Sequence, residues 1–203
     1  MKITKKHFCI LCLVFCLLVP NTIRAKEESA FQIYGDIFQF LPVLAASYSL
    51  AIRDYKGLGY LAIGVGSTLV VTYASKLAFA AIAKTHPDWA AISKRPDGTG
   101  YNGFPSGHTA SAFSAAGFMQ RRYGWKLGVP VTILAGLVGI SRIYARRHTI
   151  TQVIAGALLG YGLSYLFARR YNPNTVVSVD VDSRTLENGA VDNYMALSIY
   201  HRF

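Results

Sequence analysis

The sequence predicts an all-α, polytopic membrane helix bundle of about five or six spans that ends in a short β-hairpin tail. Three observations point there. Apolar residues make up 52% of the 203-residue chain and charged residues 15%, a balance suited to lipid. The apolar residues gather in runs of helical length. The basic residues, which leave a net charge of +11, fall in short clusters between those runs: KITKK, RDYK, RRYGWK, ARRH and ARRY. Clusters of this kind mark the ends of spans and form no single basic face, so they favour the membrane as partner and argue against nucleic acid.

Residues 1–25 read as a signal peptide or N-terminal anchor: a basic start, the apolar run FCILCLVFCLLV, then Pro20. The run is short for a span. Cys9, Cys12 and Cys16 all lie within it, so residues 26–203 hold no cysteine for a disulfide, a thiolate nucleophile or a metal. Five apolar segments follow, near 31–52, 57–83, 106–120, 127–144 and 149–168. Each is expected to be helical, because backbone in lipid must satisfy its own hydrogen bonds. Together they make one membrane-embedded domain over 26–170. With RDYK, RRYGWK and ARRYNP placed in the cytoplasm, the loop 84–105 and the turn 145–148 face outward. ARRH is then a basic cluster on the outer side, where its charge has work to do. Gly156 and Gly160 in the last segment have the small-xxx-small spacing of close helix packing. Residues 171–203 are expected to be a cytoplasmic tail. VVSVDVDS and NYMALSIYHR alternate apolar and polar residues around Asn188-Gly189, a type I′ turn pair, and predict a β-hairpin over 176–202. The oligomeric state is not legible in the sequence.

On this topology the unusual polar residues converge. Arg95-Pro96 lies in the outer loop, Ser106-Gly107-His108 opens the third segment, Ser141-Arg142 ends the fourth, and His148 precedes the fifth. Taken alone, Pro-Ser-Gly-His is an ordinary helix start, with Pro105 before the first turn and Ser106 as cap. Two histidines, arginines and a helix start on one membrane face suit phosphoryl transfer. Guanidinium forks and helix-start N–H groups neutralise the phosphoryl oxygens, and two imidazoles can supply the nucleophile and the acid. No acidic cluster or His/Cys spacing argues for a metal, and no cofactor is called for. A serine hydrolase built on Ser106 is disfavoured, because GFPSG is not the Gly-x-Ser-x-Gly elbow.

RPDGTGYNGFPSGHTASAF followed by SRIYARRH resembles the type 2 phosphatidic acid phosphatase (PAP2) family, whose pattern runs Lys-x6-Arg-Pro, Pro-Ser-Gly-His and Ser-Arg-x5-His-x3-Asp. The resemblance covers residues 57–168. It implies a metal-independent phosphatase in which His148 attacks phosphorus to form a phosphohistidine and His108 protonates the leaving group. Arg95, Ser106, Gly107 and Arg142 would hold the phosphoryl oxygens. Two positions depart from the pattern. The family lysine falls at Asp88, and Lys76 in the preceding span is preferred to Lys84 and Lys94 as the phosphate-binding lysine, since an intramembrane lysine is a functional candidate by default. Gln152 stands where the family has Asp. Four residues after His148 on a shared helix face, its amide oxygen can accept from Nδ1–H and orient the ring. An Asp restored there is expected to keep or raise activity. SKLAF, RPDG, PSGH, SRIY and HTI are most similar to the lipid A 1-phosphatase branch. The implied substrate is an anionic lipid at the periplasmic face of the bacterial inner membrane, lipid A 1-phosphate first. An undecaprenyl pyrophosphate or phospholipid phosphatase, a lipid phosphoryl transferase, or a non-catalytic phospholipid binder would use the same residues.

Overall fold

The computed structural model describes residues 29–172, 175–185 and 191–201. The sequence-predicted signal or anchor over 1–25 and the Asn188-Gly189 turn lie outside the described residues. Among the described residues six α-helices follow in order: α1 (Ala30–Phe38), α2 (Leu41–Ala51), α3 (Tyr55–Ile82), α4 (Gly107–Tyr123), α5 (Trp125–Tyr144) and α6 (Ile150–Phe167). A 3₁₀ turn, Ala91–Ser93, lies in the loop between α3 and α4. The chain divides after Arg170 into the helical bundle and a separate C-terminal unit.

Helices α3, α5 and α6 are long and apolar enough to cross a membrane. Their outer faces carry exposed apolar side chains such as Val70, Leu77, Ile133, Leu158 and Leu166, the surface that lipid covers in place of water. The first expected segment, 31–52, is two helices rather than one. Pro42 sits in the first turn of α2, where its missing N–H is harmless. Its ring excludes the carbonyl four residues back, and the preceding helix stops at that residue, Phe38.

Helix α4 is the centre of the bundle and packs most extensively on α6 and α5. Ala112, Ala115, Ala116 and Phe118 are completely buried in it. A helix enclosed by other helices needs small residues more than apolar ones, which explains why its sequence is the least lipid-like of the expected spans. The fit against α6 is close. A Cβ on Gly160 would lie 2.1 Å from the Ala110 carbonyl oxygen, and one on Gly156 would lie 2.6 Å from that of Ser106. The small-residue spacing read from the sequence thus brings the start of α6 against the Pro-Ser-Gly-His turn.

At the other end of α4, Arg122 forks onto both carboxylate oxygens of Asp54. Asp54 also caps α3 by accepting from the Gly57 N–H at 2.9 Å, and it accepts from the Tyr123 hydroxyl at 2.7 Å. Arg122 Nη1 donates to the carbonyls of Arg169 (2.9 Å) and Arg170 (3.2 Å). One buried cluster therefore ties the α2–α3 turn, the end of α4 and the exit of α6.

The C-terminal unit is an antiparallel hairpin of β1 (Thr175–Thr185) and β2 (Val191–His201), in register from Thr175 opposite His201 to Thr185 opposite Val191.

Candidate active site

Helix α6 opens with a capping box. Thr149 Oγ1 accepts from the Gln152 N–H at 3.3 Å, and Gln152 Oε1 accepts from the Thr149 N–H at 3.2 Å. The same Oε1 lies 3.0 Å from His148 Nδ1, while Gln152 Nε2 donates to the carbonyls of Ile92 (2.9 Å) and Lys94 (3.0 Å). Two carbonyls can only accept, so the amide nitrogen must face them and its oxygen must face the histidine. Nδ1 therefore carries the proton and Nε2 keeps its lone pair. His148 is 4% exposed. Burial pushes its imidazole down to about 3, against the hydrogen bond to Gln152, and the charges of Lys76, Arg95 and Arg142 push the same way as burial. The ring is a neutral base at any physiological pH.

This arrangement changes one expectation from the sequence. An Asp at 152 would set carboxylate oxygens against the Ile92 and Lys94 carbonyls, on a side chain one methylene shorter. The site also has no slack: a Cβ on Gly103 would come within 2.7 Å of both amide atoms of Gln152.

The loop that grips Gln152 is knotted by Ser93, which is completely buried. Its hydroxyl donates to the Tyr101 carbonyl (2.9 Å) and accepts from the Phe104 N–H (3.0 Å), and its own carbonyl accepts from the Gly103 N–H (2.8 Å). The knot brings Arg95 beside Asn102. Arg95 Nε donates to Asn102 Oδ1 at 2.7 Å, and Lys76 Nζ reaches across from α3 to the Asn102 carbonyl at 2.6 Å. On the facing wall, Arg142 from the end of α5 is 6% exposed, and His108 stands in the first turn of α4. Both meet Asp36 of α1, whose Oδ1 lies 3.0 Å from His108 Nε2 and 2.6 Å from Arg142 Nη1.

A cavity of about 630 Å³ joins these walls. Its polar end is lined by Lys76, Arg95, Gly107, His108, Arg142 and His148, and it continues past Thr72 and Tyr73 to Leu69, Val65, Val43 and Phe40. Seven of the eight residues singled out from the sequence thus stand at the cavity or, for Gln152, directly behind His148. Ser106 does not. It occupies the N-cap position of α4 but makes no side-chain cap bond. It lies buried behind Gly107, accepting from Thr109 Oγ1 at 2.9 Å, while its N–H donates to the Gln152 carbonyl at 2.9 Å. Lys94 serves through its carbonyl alone. In the ARRH cluster, Arg147 pairs with Asp97 at 3.2 Å.

Two residues at the site were not singled out from the sequence. Asn102 gives no signal, because its role lies half in its backbone. Asp36 does: it is an acid inside the first apolar segment, and the rule that selects Lys76 as an intramembrane charge selects it equally. Among the described residues no group of three or more His, Cys, Asp or Glu is arranged to hold a metal ion. Three cations, a helix start and a neutral imidazole around one cavity are the components that bind a phosphoryl group and attack it.

The chain is similar to several known proteins. It is 48% identical to the lipid A 4′-phosphatase of Helicobacter pylori strain J99 over 141 residues, 68% of this chain and 70% of that one. It is 33% identical to the lipid A 1-phosphatase of the same strain over 126 residues, 62% of this chain and 63% of that one. Its fold is similar to the crystal structure of Aquifex aeolicus LpxE, with a TM-score of 0.54 and 22% identity over 77% of this chain and 93% of that one. The sequence model of the PAP2 superfamily matches residues 57–175. That stretch holds Lys76, Arg95, Gly107, His108, Arg142 and His148, the residues at the polar end of the cavity, and it covers more than half of the protein: the chain belongs to the PAP2 superfamily and is a phosphatase.

Proposed function

We propose that this membrane phosphatase removes a phosphate from lipid A, the 4′-phosphate in particular, at the periplasmic face of the inner membrane through a phosphohistidine on His148. The observation that carries the proposal is the double character of the cavity. Lys76, Arg95 and Arg142 surround its polar end, while Leu69, Val65, Val43 and Phe40 line the rest. From Lys76 back to Val65 the wall follows α3 for about 16 Å at the ordinary helical rise. An amphiphile with an anionic head uses both halves, and a soluble phosphate ester would leave the apolar half empty. The greater identity to the relative named a 4′-phosphatase, 48% against 33%, favours that position over the 1-phosphate suggested by the sequence motifs. The basic loops at the Asp54 end of the bundle favour the cytoplasm, which supports a periplasmic position for the histidines.

In this mechanism the phosphoryl oxygens lie on Lys76, Arg95, Arg142 and the N–H groups at the start of α4. His148 Nε2 attacks phosphorus in line, and His108 gives a proton to the departing lipid oxygen. Water then attacks the phosphohistidine and returns a proton to His108, releasing inorganic phosphate. Ser106 steadies the helix start from behind.

Mass spectrometry of lipid A from cells with and without the gene, with fragmentation to locate the phosphates, tests the proposal. The 4′-phosphate should be absent only where the gene is present. Loss of the 1-phosphate instead would reassign the position, and unchanged lipid A would overturn the substrate.

A further inference from the structure

Three contacts that hold α1 in place surround one acid. The Tyr34 hydroxyl donates to the Leu134 carbonyl of α5 at 3.0 Å, and the Ser111 hydroxyl of α4 donates to the Gln39 carbonyl at 2.7 Å. Between them Gly35 lies so close to α5 that a Cβ would fall 1.9 Å from Ser141 Oγ. Asp36, the next residue, is thereby fixed between α4 and α5 with one oxygen on His108 and Arg142. A carboxylate accepts hydrogen bonds and donates none, so the Nε2 that faces it must carry a proton. Nδ1 is then the nitrogen left to serve the substrate.

The geometry points to Asp36 as the positioning residue of the general acid: it holds His108 by Nε2–H, so that Nδ1–H is the proton delivered to the leaving oxygen. The role depends on His108 acting as the acid, as proposed above. As the His148 Nε2–phosphorus bond forms and the phosphorus–oxygen bond to the lipid breaks, the Nδ1 proton moves to the departing oxygen and leaves His108 neutral, with Nε2–H still on Asp36. In the second half the attacking water gives its proton to Nδ1 as the nitrogen–phosphorus bond breaks. The carboxylate keeps the ring in one orientation throughout. Asp36 touches neither phosphorus nor the leaving group. Its second partner, Arg142, ties the acid to a phosphate ligand, so that the two wait in a fixed relation.

An acid matters in proportion to how poor the leaving group is, which separates this role from a structural one. The test uses purified full-length protein with two substrates, a lipid phosphate, whose leaving group is an alkoxide, and p-nitrophenyl phosphate, whose leaving group needs no proton. Asp36→Asn should lower kcat on the lipid phosphate by about 10²-fold with KM changed less than about threefold, and the loss on the aryl phosphate should be at least about tenfold smaller. Asp36→Glu, which keeps a carboxylate, should recover at least about tenfold of the lost lipid turnover. Asp36→Asn combined with His108→Ala should be no slower than His108→Ala alone, since both remove the same proton transfer. Equal losses on the two substrates, a loss confined to KM, or additive losses in the double variant would each overturn the assignment. Continued aryl turnover shows that Asp36→Asn has folded, and loss of both activities counts against the proposal. His148→Ala separates the parent mechanism: if it stays active, the phosphohistidine mechanism fails whatever Asp36 does. If it is inactive while Asp36→Asn is indifferent to the leaving group, only the role of Asp36 fails.

Discussion

At one end of the bundle Asp54 meets Arg122, and at the other Asp36 meets Arg142. Both arginines are nearly buried and both pairs join three helices or their turns, yet their surroundings differ. Around Asp54 the charges balance: one carboxylate faces one guanidinium, and the remaining hydrogen-bonding positions are taken by Tyr123, Gly57 and the Arg169 and Arg170 carbonyls. Around Asp36 they do not. One carboxylate faces Arg142 and His108, with Lys76 and Arg95 on the same cavity, and Arg142 Nε is buried with no hydrogen-bond partner. A closed network of charges holds helices together. A network with surplus cations and an open cavity calls for an anion to complete it. The same pair of residue types is therefore expected to serve structure at one end of the protein and function at the other.

The largest expected effect breaks the functional end alone. His148→Ala should reduce phosphate release to less than about a hundredth of normal, with the same elution profile and thermal stability as the parent. A loss of stability equal to the loss of activity would mean that the histidine end is also structural.

Asp54→Asn should do the reverse. Removing one partner of a buried ion pair costs about 3–5 kcal/mol, which thermal unfolding in detergent would show, while kcat in the folded fraction stays near normal. The pH dependence follows the same logic. Burial raises the Asp54 carboxyl, but hydrogen bonds from Arg122, Tyr123 and the Gly57 N–H outweigh it and hold the group below the ordinary carboxylate range. Its stabilisation is therefore complete above the unfolded value, near 4, and is lost as the pH falls through the lower folded value. In Asp54→Asn that acid-dependent part of the unfolding curve should vanish, and its persistence would assign it elsewhere.

Smaller effects are expected at Gln152, where the two kinds of role meet. Gln152→Ala should lower kcat about tenfold with little change in KM, because the side chain orients His148 rather than binding substrate. Gln152→Asp should lose at least as much, since it sets a carboxylate against the Ile92 and Lys94 carbonyls. Activity at or above the parent would show that the loop rearranges to suit it. The smallest expected effect is none: activity should persist in excess EDTA, because Lys76, Arg95 and Arg142 supply the positive charge, and vanadate should inhibit it as a mimic of the trigonal phosphoryl group. Loss in chelator with recovery in Mg²⁺ would refute a metal-free site.

The parts of this molecule legible in the sequence are those where one residue type has one physical use. Apolar runs became helices, Gly156 and Gly160 became close contacts, and the alternating tail became a hairpin. Arg95, His108, Arg142 and His148 could be placed on one cavity because each opens or closes a helix or sits in the loop between two, where topology alone decides the face. The break at Gln39–Phe40 was hidden because an apolar run looks the same whether Pro42 begins a second helix or bends the first. The grip of the loop on Gln152 was hidden for another reason. It uses the carbonyls of Ile92 and Lys94, and a backbone atom has no letter in a sequence. Asp36 was legible in principle, as a charge inside an apolar segment, but nothing in the linear order ties it to residues more than 70 positions away.

Gln152 has a consequence for how such sites diverge. One amide caps a helix, sets a tautomer and latches a loop, so its three tasks cannot drift apart one substitution at a time. A relative with a carboxylate at this position can satisfy the imidazole equally well, but the two loop carbonyls would then repel it and must give way to N–H groups or water. Position 152 and the backbone course of residues 92–94 should therefore covary as a matched set. Grafting either member into the other background should fail until both are exchanged.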